Sequence, residues 1–133
     1  MQLTLERTGD ANRIRAYDTG SVTVNDTEYR RTTVVTPERI IQDWGPASAR
    51  DMELAHLGEL LDLEAEILLI GTGKRQHFPP SGFMGQAVQA GVGIECMTTE
   101  AACRTYNVLL AEGRRVAVAL FMIEASSESG RPT

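Results

Sequence analysis

The chain reads as an α/β domain of layered β/β/α type, with N-terminal β-hairpins packed against an α-β-α-β-α-β half that contains parallel strands. Three observations lead there. The first 45 residues alternate apolar and polar positions and are rich in β-branched residues, a pattern that suits pleated surfaces. From Ser48 onward the apolar period becomes helical and then switches repeatedly between helix and strand. The strands of this second half are nearly continuous apolar runs, which implies a sheet covered on both faces.

Taken in order, Leu3 and Leu5 begin a strand, and Gly9-Asp10-Ala11-Asn12 supplies turn chemistry before a second extended piece over Ile14, Ala16 and Asp18. Ser21-Val22-Thr23-Val24, the turn Asn25-Asp26 and a long strand from Glu28 to Val35 form a hairpin. Pro37 interrupts, and Ile40-Ile41 leads as a short strand toward Trp44 and the stop Gly45-Pro46. Met52, Ala55, Leu57, Leu60 and Leu61 lie at helical spacing behind Ser48 or Asp51 as caps. A strand over Glu66 to Ile70 runs into the glycine loop. Pro79-Pro80-Ser81 precedes a helix from Gly82 to Ala90 that Gly91 closes. Gly93 to Met97 is a strand, Thr98 or Thr99 caps a helix running to Glu112, and Gly113 stops it before the last strand, Val116 to Ile123. Strand–helix–strand units with such short connections imply parallel pairing and right-handed crossovers. The expected layering puts the helices on one face and the hairpins on the other. Residues 1–125 form the domain, and Ser126 to Thr133 is a short polar, disordered tail.

At 133 residues the chain is long enough for one buried core. Its net charge of −5 argues against non-specific nucleic-acid binding, although Lys74-Arg75 is a local basic spot. The longest apolar run, Val116 to Ile123, is too short to cross a bilayer as a helix, so no membrane insertion is expected. The N-terminus lacks the character of a signal or transit peptide, which makes a cytoplasmic location the expectation. Cys96 and Cys103 have neither CxxC spacing nor a secretory context and read as free thiols. With only His56 and His77 beside them, no zinc pattern exists, and neither metal nor cofactor is expected.

The densest combination of permissive backbone, cations and rigidity is Gly71-Thr72-Gly73-Lys74-Arg75-Gln76-His77-Phe78-Pro79-Pro80. It is not a P-loop: Leu68 stands where the first glycine belongs, and Arg75 follows Lys74. It is not a dinucleotide fingerprint either, because Gln76 replaces the third glycine. It does follow the carboxyl end of a parallel strand, where α/β sheets place their ligands. Gly71, Thr72, Gly73, Lys74, Arg75, His77 and the helix start at Ser81 therefore form a candidate loop for a small anion or an acidic peptide. The plainer reading is a turn with solvated cations. His77 lacks a recognisable catalytic partner and reads as packed against Pro79-Pro80.

Cys103 falls on a buried stripe with Ala102, Tyr106, Leu109 and Leu110. Asn107 is an unusual mid-helix residue whose amide is suited to satisfying the backbone of a neighbouring loop. Trp44 is either a core plug or an interface anchor, which its exposure decides. The acids from Asp51 to Glu66 around the first helix read as a solvated face.

The segment Ile70-Gly71-Thr72-Gly73 through Phe78-Pro79-Pro80, with Gly93-Ile94-Glu95 and Thr105-Tyr106-Asn107-Val108-Leu109, resembles a known family. That family comprises mitochondrial complex I (NADH dehydrogenase) assembly factor 3, the adipogenesis-associated domain protein of animals, and many uncharacterised bacterial and archaeal proteins. The resemblance implies the layered β/β/α fold. Without a mitochondrial targeting extension, the chain looks like a bacterial member. The reading that combines both lines is a non-catalytic, assembly-factor-like binding protein whose partners belong to a respiratory membrane complex. The alternative is a small-anion-binding protein or an enzyme of unknown reaction that uses the Gly71–Pro80 loop.

Overall fold

In the computed structural model, which describes residues 11–125, two sheets and three helices form a layered α/β structure. A three-stranded antiparallel sheet has the order β1 (Ile14–Asp18), β2 (Ser21–Val24), β3 (Thr27–Tyr29). The central sheet contains β4 (Thr33–Val35), β5 (Ile40–Gln42), β6 (Ile67–Gly71), β7 (Gly93–Met97) and β8 (Val116–Leu120), in the order β5-β4-β8-β6-β7. Strand β6 is parallel to both neighbours, and β4 is antiparallel to β5 and β8. The helices are α1 (Leu54–Leu61), α2 (Phe83–Gln89) and α3 (Thr99–Ala111). The expected strand at Leu3 and Leu5, the Gly9-Asp10 part of the first turn and the tail from Ser126 lie outside the described residues.

The layering differs from expectation in one respect: the helices are divided between the two faces of the central sheet. One core joins Leu57 and Leu60 of α1 and Phe83 and Ala87 of α2 to Leu68, Ile70, Ala117 and Ala119. The other joins Ala102, Cys103, Tyr106 and Leu110 of α3 to Leu69, Val116, Val118 and Leu120, and to Ile14, Val22 and Val24 of the small sheet. Strand order explains the division. The path β5-α1-β6-α2-β7 moves across the sheet in one direction, and β7-α3-β8 moves back past β6. Right-handed crossovers that travel in opposite directions must place their helices on opposite faces. Alternation along β6 and β8 feeds both cores, which accounts for their unbroken apolar sequence.

A second difference concerns the stretch from Glu28 to Val35, which is two strands in separate sheets rather than one. The expected hairpin turn is present: Val24 pairs with Thr27 across Asn25-Asp26, and Asn25 takes φ +56°. The first helix begins later than its periodicity suggested. Ser48 caps a 3₁₀ turn over Ala49–Asp51, and α1 starts after Glu53, whose N–H donates to His56 Nδ1 at 2.8 Å. The last strand ends at Leu120, with Ile123 making only a bridge to Thr19.

Asn107 satisfies backbone groups, as its place in mid-helix suggested, but the partner is a strand. Its Nδ2 donates to Ile14 O at 2.7 Å, and its Oδ1 accepts from Ile14 N at 3.1 Å. The pairing of β1 with β2 is irregular between Ile14 and Ala16, so the side-chain amide serves backbone groups at that irregularity. Beside it, the buried Tyr106 donates its hydroxyl to Asn12 O at 2.8 Å. Adjacent residues of one helix thus fasten the small sheet to the central one. Asn107→Ala is expected to lower the unfolding free energy by about 2 kcal/mol, the scale of two lost hydrogen bonds with part-buried partners. Urea denaturation measures this, and a loss below about 0.5 kcal/mol, the level of an ordinary surface change, contradicts the clamp.

Candidate functional site

The site is assembled where β6 and β8 end and α3 begins. Gly71, the last residue of β6, lies against the helix start, and a Cβ there would stand 2.9 Å from Thr99 Cα and 3.0 Å from Ala102 Cβ. Glycine is required at this position because the obstructing atom is backbone. The buried Thr99 hydroxyl then joins three segments. It donates to Phe121 O at 2.6 Å and accepts from Gly73 N at 2.8 Å, while Thr99 N donates to Gly73 O at 2.9 Å. Thr98, not Thr99, caps α3, accepting from Ala101 N at 3.2 Å. Thr99 was therefore undervalued as one of two equivalent caps. Its second role was hidden because its partners are 22 and 26 residues away.

Thr72 closes the loop that follows. Its hydroxyl donates to Arg75 O at 2.6 Å, with Met97 O 3.1 Å away, and accepts from His77 N at 3.2 Å. Gln76 Nε2 reaches Cys96 O at 3.0 Å, and Gly73 occupies φ +101°, which a side chain tolerates poorly. Lys74, Arg75 and Gln76 are exposed, and Pro79-Pro80 restricts the exit. The cations thus stand on a backbone tied at four points.

Of the residues singled out from sequence, Thr72, Gly73, Lys74, Arg75 and His77 are brought together around a cavity of about 440 Å³. Across it stand Ser48, which the sequence offered only as a helix cap, and Arg50, Phe121 and Glu124, which it did not single out. Gly71 is not on the cavity, and its role is the close packing under α3. Ser81 is exposed and apart: α2 has only seven residues and starts from Gly82 at φ +87° without a side-chain cap. Trp44 is a core plug, 7% exposed; its Nε1 donates to Glu59 Oε1 at 2.8 Å, and its ring meets His56 and Phe121 edge-on. It is corrected as an interface residue. Phe78, by contrast, is 89% exposed beside the cations, and Met84 and Val88 of α2 are exposed as well. Apolar residues held in water on a proline-bounded loop were legible as a composition but not as an orientation.

The cysteines carry no site. Cys103 is buried in the core, and desolvation pushes its thiol up to about 12; burial raises Cys96 as well. Among the described residues no three His, Cys, Asp or Glu side chains form a metal-holding group.

A mixed α/β fold with a cleft at the carboxyl ends of parallel strands defines the class. The particular family follows from sequence: residues 14–121 match the model of the family described as protein of unknown function (DUF498/DUF598), and the chain belongs to it. It is 30% identical over 103 residues to a 13 kDa major membrane protein of Francisella tularensis, covering 77% of this chain and 84% of that one. It is 32% identical over 109 residues to the NADH dehydrogenase 1 alpha subcomplex assembly factor 3 of Xenopus tropicalis, covering 80% of this chain and 59% of that one. A crystal structure of a Bordetella parapertussis protein superposes with TM-score 0.79 at 38% identity, covering 84% and 96% of the two chains.

Replacing Thr99 isolates the contribution of its hydroxyl. Thr99→Val leaves Gly73 N–H and Phe121 C=O buried without partners and is expected to cost about 2–4 kcal/mol, whereas Thr99→Ser keeps the hydroxyl and most of that stability. Equal losses in the two variants, measured by chemical denaturation, contradict the hydroxyl knot. The Cys103 thiol is expected to resist iodoacetamide at neutral pH in the folded protein and to react only on unfolding. Mass-spectrometric labelling checks this, and rapid native-state modification contradicts it.

Proposed function

We propose that this protein is a non-catalytic binding protein of assembly-factor type, which uses the loop after β6 to engage a protein component of a respiratory membrane complex from the cytoplasmic side. The observation that carries this reading is Phe78, 89% exposed between His77, whose N–H is tied to Thr72, and Pro79-Pro80, three and four residues after Arg75 and Lys74. An aromatic side chain presented by rigid backbone loses little conformational freedom on binding, and such residues dominate interface energetics. The flanking cations add charge selection for an acidic partner surface. Met84 and Val88, on the helix that follows, extend the exposed apolar surface.

Further support comes from the assembly factor of Xenopus, a relative that matches 80% of this chain, although the chain spans only 59% of that protein. A second relative, from Francisella tularensis, is named a major membrane protein, which is in keeping with work at a membrane. No helix among the described residues is long and apolar enough to cross a membrane.

Affinity capture from membranes of the native organism tests the reading. The unmodified protein is expected to recover subunits of the respiratory NADH dehydrogenase. Phe78→Ala is expected to reduce recovery at least tenfold with an unchanged Tm, since an anchor of this kind contributes about 2 kcal/mol or more. Capture that omits those subunits, or that is indifferent to Phe78, overturns it.

A further inference from the structure

We infer that the cavity behind the loop is a binding site for a small organic anion, a carboxylate or phosphate monoester carried on a compact apolar body. Phe78 is off its lining, while Lys74 and Arg75 belong both to it and to the protein-binding surface. Three elements bound it: the 3₁₀ turn Ala49–Asp51, the loop after β6 and the segment after β8. Its volume of about 440 Å³ falls in the range of small-ligand sites.

The lining determines the ligand class. Arg50 comes from one wall and Lys74 and Arg75 from the other, with Glu124 the one acid on the lining. The chain as a whole carries −5, whereas this lining sets Arg50, Lys74 and Arg75 against a single acid. Among the described residues, the guanidinium groups of Arg50 and Arg75 make no ion pair, a state they share with Arg13, Arg39 and Arg115, but of these five only Arg50 and Arg75 line the cavity. Guanidinium forks match the paired oxygens of carboxylates and phosphates and can bind them bidentately. Ala49 and Phe121 contribute apolar wall, which suits a body that is not itself charged. The preceding glycine and threonine hold the cationic wall in place without ligand, because Gly73 is fixed to Thr99 and Thr72 to Arg75. A site built this way needs little reorganisation to bind.

Nitrogen-15 NMR titration with benzoate and with phenyl phosphate, and with benzyl alcohol as the neutral control, tests this. Both anions are expected to shift the amides of Arg50, Gly73 and Arg75, and the alcohol to leave them in place. The tighter of the two anions identifies the head group. Arg50→Ala and Arg75→Ala are each expected to weaken binding about tenfold, the scale of one lost charge-assisted contact. Glu124→Gln is expected to tighten it, and Phe78→Ala, off the lining, to leave it unchanged. Because Arg50 and Arg75 are exposed, spectra of their variants retain native dispersion. Absence of shifts with both anions, equal shifts with the alcohol, or affinities indifferent to Arg50 and Arg75 overturns the assignment. Loss of partner capture in Phe78→Ala with anion binding intact separates this site from the protein-binding surface.

Discussion

The close approach of Gly71 to the start of α3 is the constraint on which the rest depends. Strand order makes it necessary: the chain leaves β7, crosses the sheet past β6 on α3 and returns as β8 on the far side of β6. The N-terminus of α3 therefore lies over the end of β6. At 2.9 Å from Thr99 Cα there is no space for even a methyl group. With the backbones this close, the Thr99 hydroxyl reaches both strand ends at once, and the Gly73 and Phe121 backbone groups find partners in a region that water does not enter. The loop after β6 then departs from a fixed point in a fixed direction.

That fixed departure gives the loop two outlooks. Outward, Phe78 stands in solvent beside the cations. The same cations also line, with Arg50, the cavity behind the loop. One rigid turn can therefore present a hydrophobic anchor to a macromolecule and a cationic wall to a small molecule without rearranging between the two. The clamp formed by Tyr106 and Asn107 does the corresponding work further along the same helix, where it fastens the small sheet.

Much of this was legible in the sequence, and the reasons for the remainder are physical. Gly93–Met97 and the helix ending before Gly113 were readable because local periodicity and stop signals agree there. The glycine loop was readable as a strand-end element for the same reason. The division of helices between faces was not, since it follows from the order β8-β6-β7, a long-range property that periodicity does not encode. The break at Arg30–Thr32 was hidden because Tyr29 before it and Thr33, Val34 and Val35 after it are good strand formers, and only their assignment to separate sheets interrupts them. Arg50 and Glu124 lie far from the loop in sequence and reach the cavity only through tertiary packing. Trp44 carried equal signals for core and surface, and its burial against Phe121 and hydrogen bond to Glu59 decide for the core.

The central claim is that the loop after β6 is held in place before any partner or ligand arrives. Native-state amide hydrogen exchange of the free protein tests it most directly, because the Thr72 and Gly73 amides donate to Met97 O and the Thr99 hydroxyl. The account predicts that both exchange only by opening reactions nearly as costly as global unfolding, alongside Leu69 in the centre of β6. Exchange of Gly73 orders of magnitude faster than Leu69 would show a loop that opens locally, and would contradict it.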